Sequence, residues 1–367
     1  MKYTIMFFIL ITALIIILGH GLLWLSLVKF FGITSFKAKT VLAVILGILS
    51  VSFLVTMLLT YASDTWIVNA LYTGSGIWLG AMLYIGMALV GVWTIYGLSL
   101  LLRFHAPVAV LTSLFLFCAI LYSAYGTWNA QHPILKKMNV TIPNLPEAWK
   151  GKVVVQLSDI HLGPVQRQAF LRRVIKATNS VNPDAVFITG DLFDGAGKHL
   201  DQLAAPLKDL QTTKGAYFIT GNHETYIGVE RSLNAIKDLP ITVLRDKHLA
   251  VDGLNIIGVD YPAPGEKKDL TEVLGLVAAH QPNIVLFHEP KGIDAFKAAG
   301  TNLFLSGHTH VGQLWPFGFI TRSIFKGYDY GLHVEGSFTE YTSSGVGTWG
   351  PALRTGNRPE IDVFTLQ

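Results

Sequence analysis

Cysteine is almost absent: the chain has one, Cys118. A single thiol permits no intrachain disulfide and no cysteine-based metal site, and it leaves the redox compartment open. Charge is scarce too, and unevenly so. Before Trp128 the only fully charged side chains are Lys2, Lys29, Lys37, Lys39, Asp64 and Arg103, whereas the rest of the chain has an ordinary mixture of charged, polar and apolar residues. The formal net charge of +4 is not gathered into a basic tract, which removes support for nucleic-acid binding. Internal repeats and low-complexity segments are lacking as well.

What fills the first third is long apolar runs. Crossing the hydrocarbon core of a bilayer takes roughly 20 predominantly apolar residues in a helix, because every backbone polar group must be satisfied without water. Four runs qualify, at residues 3–28, 41–61, 77–101 and 108–125, separated by breaks at Lys37 to Lys39, Asp64, and His105 to Pro107. A cleavable signal peptide would account for the first run alone, but that run exceeds a signal core and three more follow it. Trp66, Tyr72 and Trp128 sit near the proposed ends, where amphipathic rings favour the headgroup region. Gly76 and Gly80 are spaced to let two helices approach closely. His20 and His105 read as helix-end or interfacial residues rather than ligands.

The chain is therefore expected to be a multi-pass protein of the cell membrane, with membrane lipids among its partners. Lys29, Lys37 and Lys39 share one loop, and Arg103 lies in the other loop on the same face. Basic loops are retained in the cytoplasm, so four spans place both termini and the large C-terminal region outside it. Lys2, Lys136 and Lys137 on the opposite side keep that bias small.

Residues 1–128 thus form an all-α, four-helix transmembrane region. Residues 129–150, polar and broken by Pro133, Pro143 and Pro146, read as a linker and lead-in to a domain at 151–367. That domain is long enough for one sizeable core. Short β-rich runs recur in it at residues 153–157, 185–188, 216–220, 254–259, 284–287 and 303–305. Between several of them the apolar spacing predicts helices at 170–178, 204–210, 229–236 and 270–279. Strands alternating with helices predict an α/β fold with a largely parallel sheet, whose ligands gather beyond the carboxyl ends of the strands.

That is where the chemistry-bearing residues fall. SDIHLG follows the first of these strands and offers Asp159 and His161; on an extended segment, alternate side chains point the same way and can reach one ion. GDLFDG follows the second strand with Asp191 and Asp194, GNHE the third with Asn222 and His223, then His288 stands alone, and GHTH brings His308 and His310. Each piece alone is weak, since an Asp after Gly is usually turn chemistry. All five occur at strand ends, in one order, and collect Asp, His and Asn with little else.

This series resembles the calcineurin-like metallophosphoesterase superfamily, whose pattern runs D-x-H, G-D-x-x-D, G-N-H-[DE], a lone H, and G-H-x-H. The resemblance covers the chain from about Val153 onward and implies a sandwich of two β-sheets flanked by helices. LPEAWKG, SDIHLG, GHTHVGQ and SSGVGTWGPALR resemble in detail a subgroup of membrane-associated phosphodiesterases, some of which carry an N-terminal multi-span region. One departure is Val311, where that subgroup commonly has Gly; a β-branched residue there could narrow the site or require another backbone angle.

Carried over to this sequence, the resemblance implies two divalent metal ions. Asp159, His161 and His310 would hold one, Asn222, His288 and His308 the other, and Asp191 would bridge them. Such a pair lowers the pKa of a shared water and clamps the attacking and leaving oxygens of an in-line displacement at phosphorus. Imidazole and carboxylate ligands suit Mn, Fe or Zn without choosing among them. His223 would donate a proton to the leaving oxygen, with Asp194 orienting its ring and favouring its charged form. His199, His248, His280 and His333 fall outside the pattern. Arg354 and Arg358 offer bidentate contacts to an anionic substrate, though a solvated arginine is as good a reading, and the run from Gly345 to Gly350 reads as a plain loop or a close approach to phosphate.

The expected activity is hydrolysis of a phosphodiester or phosphomonoester, on a lipid-linked or cell-envelope substrate suggested by the anchor. A nucleotide-sugar lipid pyrophosphatase is the alternative within the enzyme class. A non-catalytic membrane scaffold that keeps the fold only for metal binding is the alternative outside it, and loss of ligands would have favoured that one.

Overall fold

The computed structural model describes residues 2–278 and 280–367, the side chains of residues 2–10 excepted. The Lys2 side chain, counted toward orientation, and Ala279, the expected end of a helix, lie outside the described residues. The chain divides into two compact units, Met1–Trp128 together with Gly350–Leu353, and Asn129–Trp349 together with Arg354–Gln367.

The first unit consists of α1 (Lys2–Phe30), α2 (Phe36–Ala62), α3 (Trp66–Leu101) and α4 (Val108–Ala130). All four are long and apolar enough to cross a membrane. Leu18, Ile48, Val90 and Ile120 are exposed on their faces, which is where lipid replaces water as the solvent. α3 starts eleven positions before the predicted 77, because the Thr65 side chain accepts the Val68 N–H as a cap and Ser75 returns its hydroxyl to the Tyr72 carbonyl, so the glycine-rich stretch stays helical. Tyr72 is consequently buried inside α3 rather than at a span end. A Cβ on Gly76 would meet Phe53 of α2 at 3.3 Å, and one on Gly80 would meet Pro351 at 3.3 Å. The small pair thus admits the Gly350–Leu353 segment at both positions, and α2 as well at Gly76. His20 is buried in α1, away from the helix ends, and accepts the Trp78 indole N–H of α3 at 3.0 Å.

The second unit opens with a strand where a linker was expected. β1 (Ile134–Val140) alternates half-buried and exposed residues between Pro133 and Pro143, an amphipathic edge strand with few apolar side chains to signal it. Then come β2 (Val153–Leu157), α5 (Gln168–Asn179), β3 (Ala185–Thr189), α6 (Leu200–Ala204), β4 (Ala216–Ile219), α7 (Asn222–Ile227) and α8 (Val229–Ile236). The predicted helix at 204–210 is replaced by a 3-10 turn over Ala205–Asp209, since Pro206 removes a helical donor. β5 (Ile241–Val243), β6 (Lys247–Val251), β7 (Leu254–Gly258), α9 (Thr271–Leu274), β8 (Asn283–Leu286), α10 (Ile293–Ala299) and β9 (Leu303–Ser306) follow, α9 ending early at Gly275. The chain finishes with α11 (Gly318–Ile324), β10 (Gly331–Glu335), β11 (Phe338–Thr342) and β12 (Glu360–Leu366).

These strands form two six-stranded sheets, ordered β1-β12-β2-β3-β4-β5 and β10-β11-β9-β8-β7-β6. β2, β3, β4 and β5 run parallel, as do β7, β8, β9 and β11, with antiparallel pairs toward the edges. Strand alternation fills the space between the sheets: Val154, Phe187, Ile219, Ile256, Leu286 and Leu305 share one core. Their neighbours face the other way, Val155 and Ile188 onto α5 and α6, and Ile257 and Val285 onto Phe296 of α10. Two sheets packed face to face with helices outside leave one shared edge, formed by the carboxyl ends of the parallel strands.

Candidate dinuclear metal centre

Every predicted ligand sits in a turn at that edge. Asp159 and His161 follow β2, Asp191 follows β3, Asn222 opens α7 after β4, His288 follows β8, and His308 and His310 follow β9. The extended geometry expected for Asp159 and His161 is not found. Both residues are left-handed, with φ of 56° and 54°, as are Asp191, His308 and His310. Such angles cost a non-glycine residue on the order of 1–2 kcal/mol and persist only where surrounding bonds impose them. Here Asp159 N–H donates to the Gly190 carbonyl at 3.1 Å, His161 N–H to that of Asp191 at 3.0 Å, and Gly347 N–H to that of Asp159 at 2.8 Å. Gly347 has no alternative: a Cβ there would lie 2.1 Å from the Ile160 oxygen. The glycine run after Gly345 therefore serves close packing against the Asp159 turn. Val311 is also left-handed, at φ 51°, the backbone angle that its β-branched side chain disfavours.

The seven side chains converge as two nests joined by one carboxylate. In the first, His310 Nε2 lies 3.4 Å from Asp159 Oδ1 and 3.0 Å from His161 Nε2. In the second, Asn222 Oδ1 lies 2.8 Å from His308 Nδ1 and 3.1 Å from His288 Nε2. Asp191 Oδ2 is 3.8 Å from His161 Nε2 and 3.2 Å from His288 Nε2, so it touches both. Asp159, His161 and His310 form one grouping able to hold an ion, and Asp191, His288 and His308 another.

The electrostatics of this donor set fit a pair of cations. Burial and the charge on His223 hold His161 down to about 3, and burial and His288 hold His308 down to about 4, which keeps both rings neutral with lone pairs available. Burial also opposes charge on His288, yet Asp191 and Asp159 push it up to about 10, which marks how strongly these carboxylates favour positive charge at this edge. His161 Nδ1 is buried with no hydrogen-bond partner. Lone pairs packed at these distances, around carboxylates that demand positive charge, are the composition of a dinuclear site.

His223 stands beside the nests. Its Nδ1 is 3.0 Å from Asp194 Oδ1, and its Nε2 is 4.0 Å from Asp191 Oδ2. Burial works against a charged ring there, but Asp191 and Asp194 raise His223 to about 9.

Three residues that sequence reasoning left out of the site, Glu224, Glu289 and Asn357, support it together with Arg354. Glu224, the last letter of GNHE, is fully buried and accepts the backbone N–H groups of Gly221, Asp191 and Phe193 at 2.7, 2.9 and 3.2 Å. Its place in the motif was the available signal. Glu289 lies 3.3 Å from His308 Nε2. Arg354, open to reading as a substrate contact or as a solvated side chain, is instead fully buried; it donates to His310 Nδ1 at 2.5 Å and to the Ser344 and Gly345 carbonyls, fixing the His310 ring. Asn357 donates to the His310 carbonyl. Arg358 is exposed, and His199, His248, His280 and His333 join none of the metal-competent groupings among the described residues.

Residues 152–312 match the family profile described as calcineurin-like phosphoesterase. An uncharacterized metallophosphoesterase of Campylobacter jejuni is 34% identical over 278 residues, 74% of this chain and 72% of that protein. One from Aquifex aeolicus is 33% identical over 262 residues, 69% of this chain and 98% of that protein. A transmembrane protein with metallophosphoesterase domain from Danio rerio is 32% identical over 274 residues, 70% of this chain but 62% of the relative. Identity of this extent, with metal-competent groupings gathered at one sheet edge in a chain that also has four helices long enough to cross a membrane, makes the chain a member of the calcineurin-like phosphoesterase family and a metal-dependent phosphoesterase.

Proposed function

We propose that this chain hydrolyses a phosphodiester or phosphomonoester carried by a lipid or cell-envelope molecule. Asp159, His161 and His310 would hold one divalent ion, Asn222, His288 and His308 the second, and Asp191 would be shared. The observation that carries this reading is the reach of the Asp191 carboxylate to His161 on one side and His288 on the other. When bound, two such ions would lower the pKa of a nearby water and draw charge from the phosphate oxygens.

The protein's own groups supply the rest. Asp194 accepts the Nδ1 proton of His223, which fixes the ring and leaves Nε2 turned toward the site. As the bond from phosphorus to the leaving oxygen breaks, the proton on Nε2 passes to that oxygen. Arg354 and Glu289 hold the His310 and His308 rings, and Glu224 ties the Asp191 and Phe193 amides to that of Gly221.

The test uses the full chain in detergent with Mn²⁺ and chromogenic mono- and diesters. Asp191→Ala should abolish turnover and lower bound metal, while His223→Ala should lose turnover and keep metal. Equal turnover in wild type and Asp191→Ala removes the mechanism.

The catalytic unit is proposed to lie outside the cytoplasm, on the strength of Lys29, Lys37, Lys39 and Arg103 at the ends of the spans. A cysteine introduced at Lys237 in a Cys118→Ser background should react with an impermeant maleimide in intact cells. Protection until lysis would reverse the orientation.

A further inference from the structure

The loop that leaves the metal centre carries an apolar surface that the proposed reaction does not use. Directly after His310, Trp315, Phe317, Phe319, Ile320 and Ile324 are all exposed, Phe319 at 72% and Ile324 at 63%. In a catalytic unit whose other large apolar side chains mostly fill the three cores, this concentration within ten residues requires an explanation.

The arrangement is ordered. On α11 Phe319, Ile320 and Ile324 fall on one arc, since positions four apart share a helix face. Thr321 points the other way, its hydroxyl on Asp329 at 3.1 Å, and Asp329 is buried. The Asp329 carbonyl in turn accepts the Thr309 hydroxyl at 2.6 Å, and Trp315 N–H donates to the Thr355 hydroxyl at 3.1 Å. The loop is thus pinned on its inner side, with its apolar side chains held outward. It also touches the site: the Phe325 ring packs edge-on against His308 with centroids 6.0 Å apart.

Charge identifies the occupant. Arg322 and Lys326 are exposed within this segment, and residues 311–328 contain no acidic residue. A two-fold contact with a second copy would bring like cations together on a self-complementary patch. A layer of anionic headgroups accepts them, while Trp, Phe and Ile enter the acyl boundary below. A chain with four helices suited to crossing a membrane keeps such a surface at hand.

We propose that residues 315–326 dock the catalytic unit on an anionic lipid surface, with Phe319, Ile320 and Ile324 in the acyl boundary and Arg322 and Lys326 among the headgroups. With Phe325 against His308, docking brings the metal centre to the level of the headgroup phosphates. This last step rests on the proposed function and narrows its substrate to a phosphate ester resident in the bilayer.

The test places an environment-sensitive fluorophore on Phe319→Cys in a full-length Cys118→Ser protein, in nanodiscs containing phosphatidylglycerol with or without doxyl-labelled lipid. The expected result is blue-shifted emission quenched about twofold by the doxyl lipid, a fluorophore at Lys237→Cys left unquenched, and weaker quenching at 319 when Arg322→Glu and Lys326→Glu are added. Water-like emission at position 319 overturns the docking. So does a blue shift without lipid quenching, which would mean a protein partner or a second copy. Turnover of the chromogenic diester, measured on the same samples, separates failure of the docking from failure of the phosphoesterase reading.

Discussion

Two histidines, one in each unit of the molecule, use the same ring for opposite ends. His20 in the spans meets a carbonyl and an indole: its Nδ1 lies 2.8 Å from the Ile16 oxygen, and its Nε2 lies 3.0 Å from the Trp78 nitrogen. A carbonyl only accepts and an indole N–H only donates, so one neutral tautomer satisfies both nitrogens and no proton is left over. His223 in the catalytic unit meets a carboxylate at Nδ1 and has Nε2 turned toward the metal ligands. Its Nε2 stands 4.0 Å from the nearest carboxylate oxygen, and under the proposed function the proton there awaits a substrate. In the spans this ring closes both of its bonds and joins α1 to α3; at the strand ends the other keeps one nitrogen open, as the proposed chemistry requires.

That difference is sharpest at the carboxylate. Asp194 and Asp191 raise His223 to about 9 against the effect of burial, so the charged ring is present below that value and lost as pH rises through it. Removing the Asp194 charge lowers the folded-state pKa. Asp194→Asn should therefore move the alkaline limb of kcat/KM for the chromogenic diester to lower pH, and reduce turnover at neutral pH by about 10²-fold, the low end for losing a positioned proton donor. An unmoved limb with the same loss would reduce Asp194 to a turn residue. His223→Ala should remove the limb altogether.

How far the sequence could be read divides along the same line. The spans were legible because composition alone decides them, although α3 ran past its predicted start once Thr65 capped it. The site was legible because five turns at strand ends carried the same few residue types, and strand order brought them together. Its backbone was not: left-handed angles at Asp159 and His161 come from hydrogen bonds to Gly190, Asp191 and Gly347, which lie far along the chain. Glu224 escaped, and the place of Arg354 was not legible, for a related reason, since one acts on backbone amides and the other on the Nδ1 of His310. β1 escaped because it pairs with β12, the last strand of the chain, in parallel register from Ile134 with Glu360 to Val140 with Leu366. An amphipathic edge strand with two lysines carries little local signal, and its partner is more than two hundred residues away.

The comparison predicts a smaller and different loss in the spans. His20→Phe keeps a ring of similar size between α1 and α3 but leaves the Trp78 indole N–H without an acceptor in apolar surroundings. Polar contacts between membrane helices are worth about 1 kcal/mol, because a helix separated from its partner finds substitutes. Thermal unfolding of the full chain in detergent should therefore begin at a lower temperature, by an amount matching about 1 kcal/mol. Chromogenic diester turnover below the transition should stay within about twofold of wild type, because His20 holds no proton that the reaction needs. Substituting Gln for His20 restores an acceptor for the indole and should recover part of the stability, which separates the lost bond from a packing defect. A fall in turnover comparable with that of Asp194→Asn would show that the buried polar contacts of the spans serve the chemistry after all, and the contrast between the two histidines would fail.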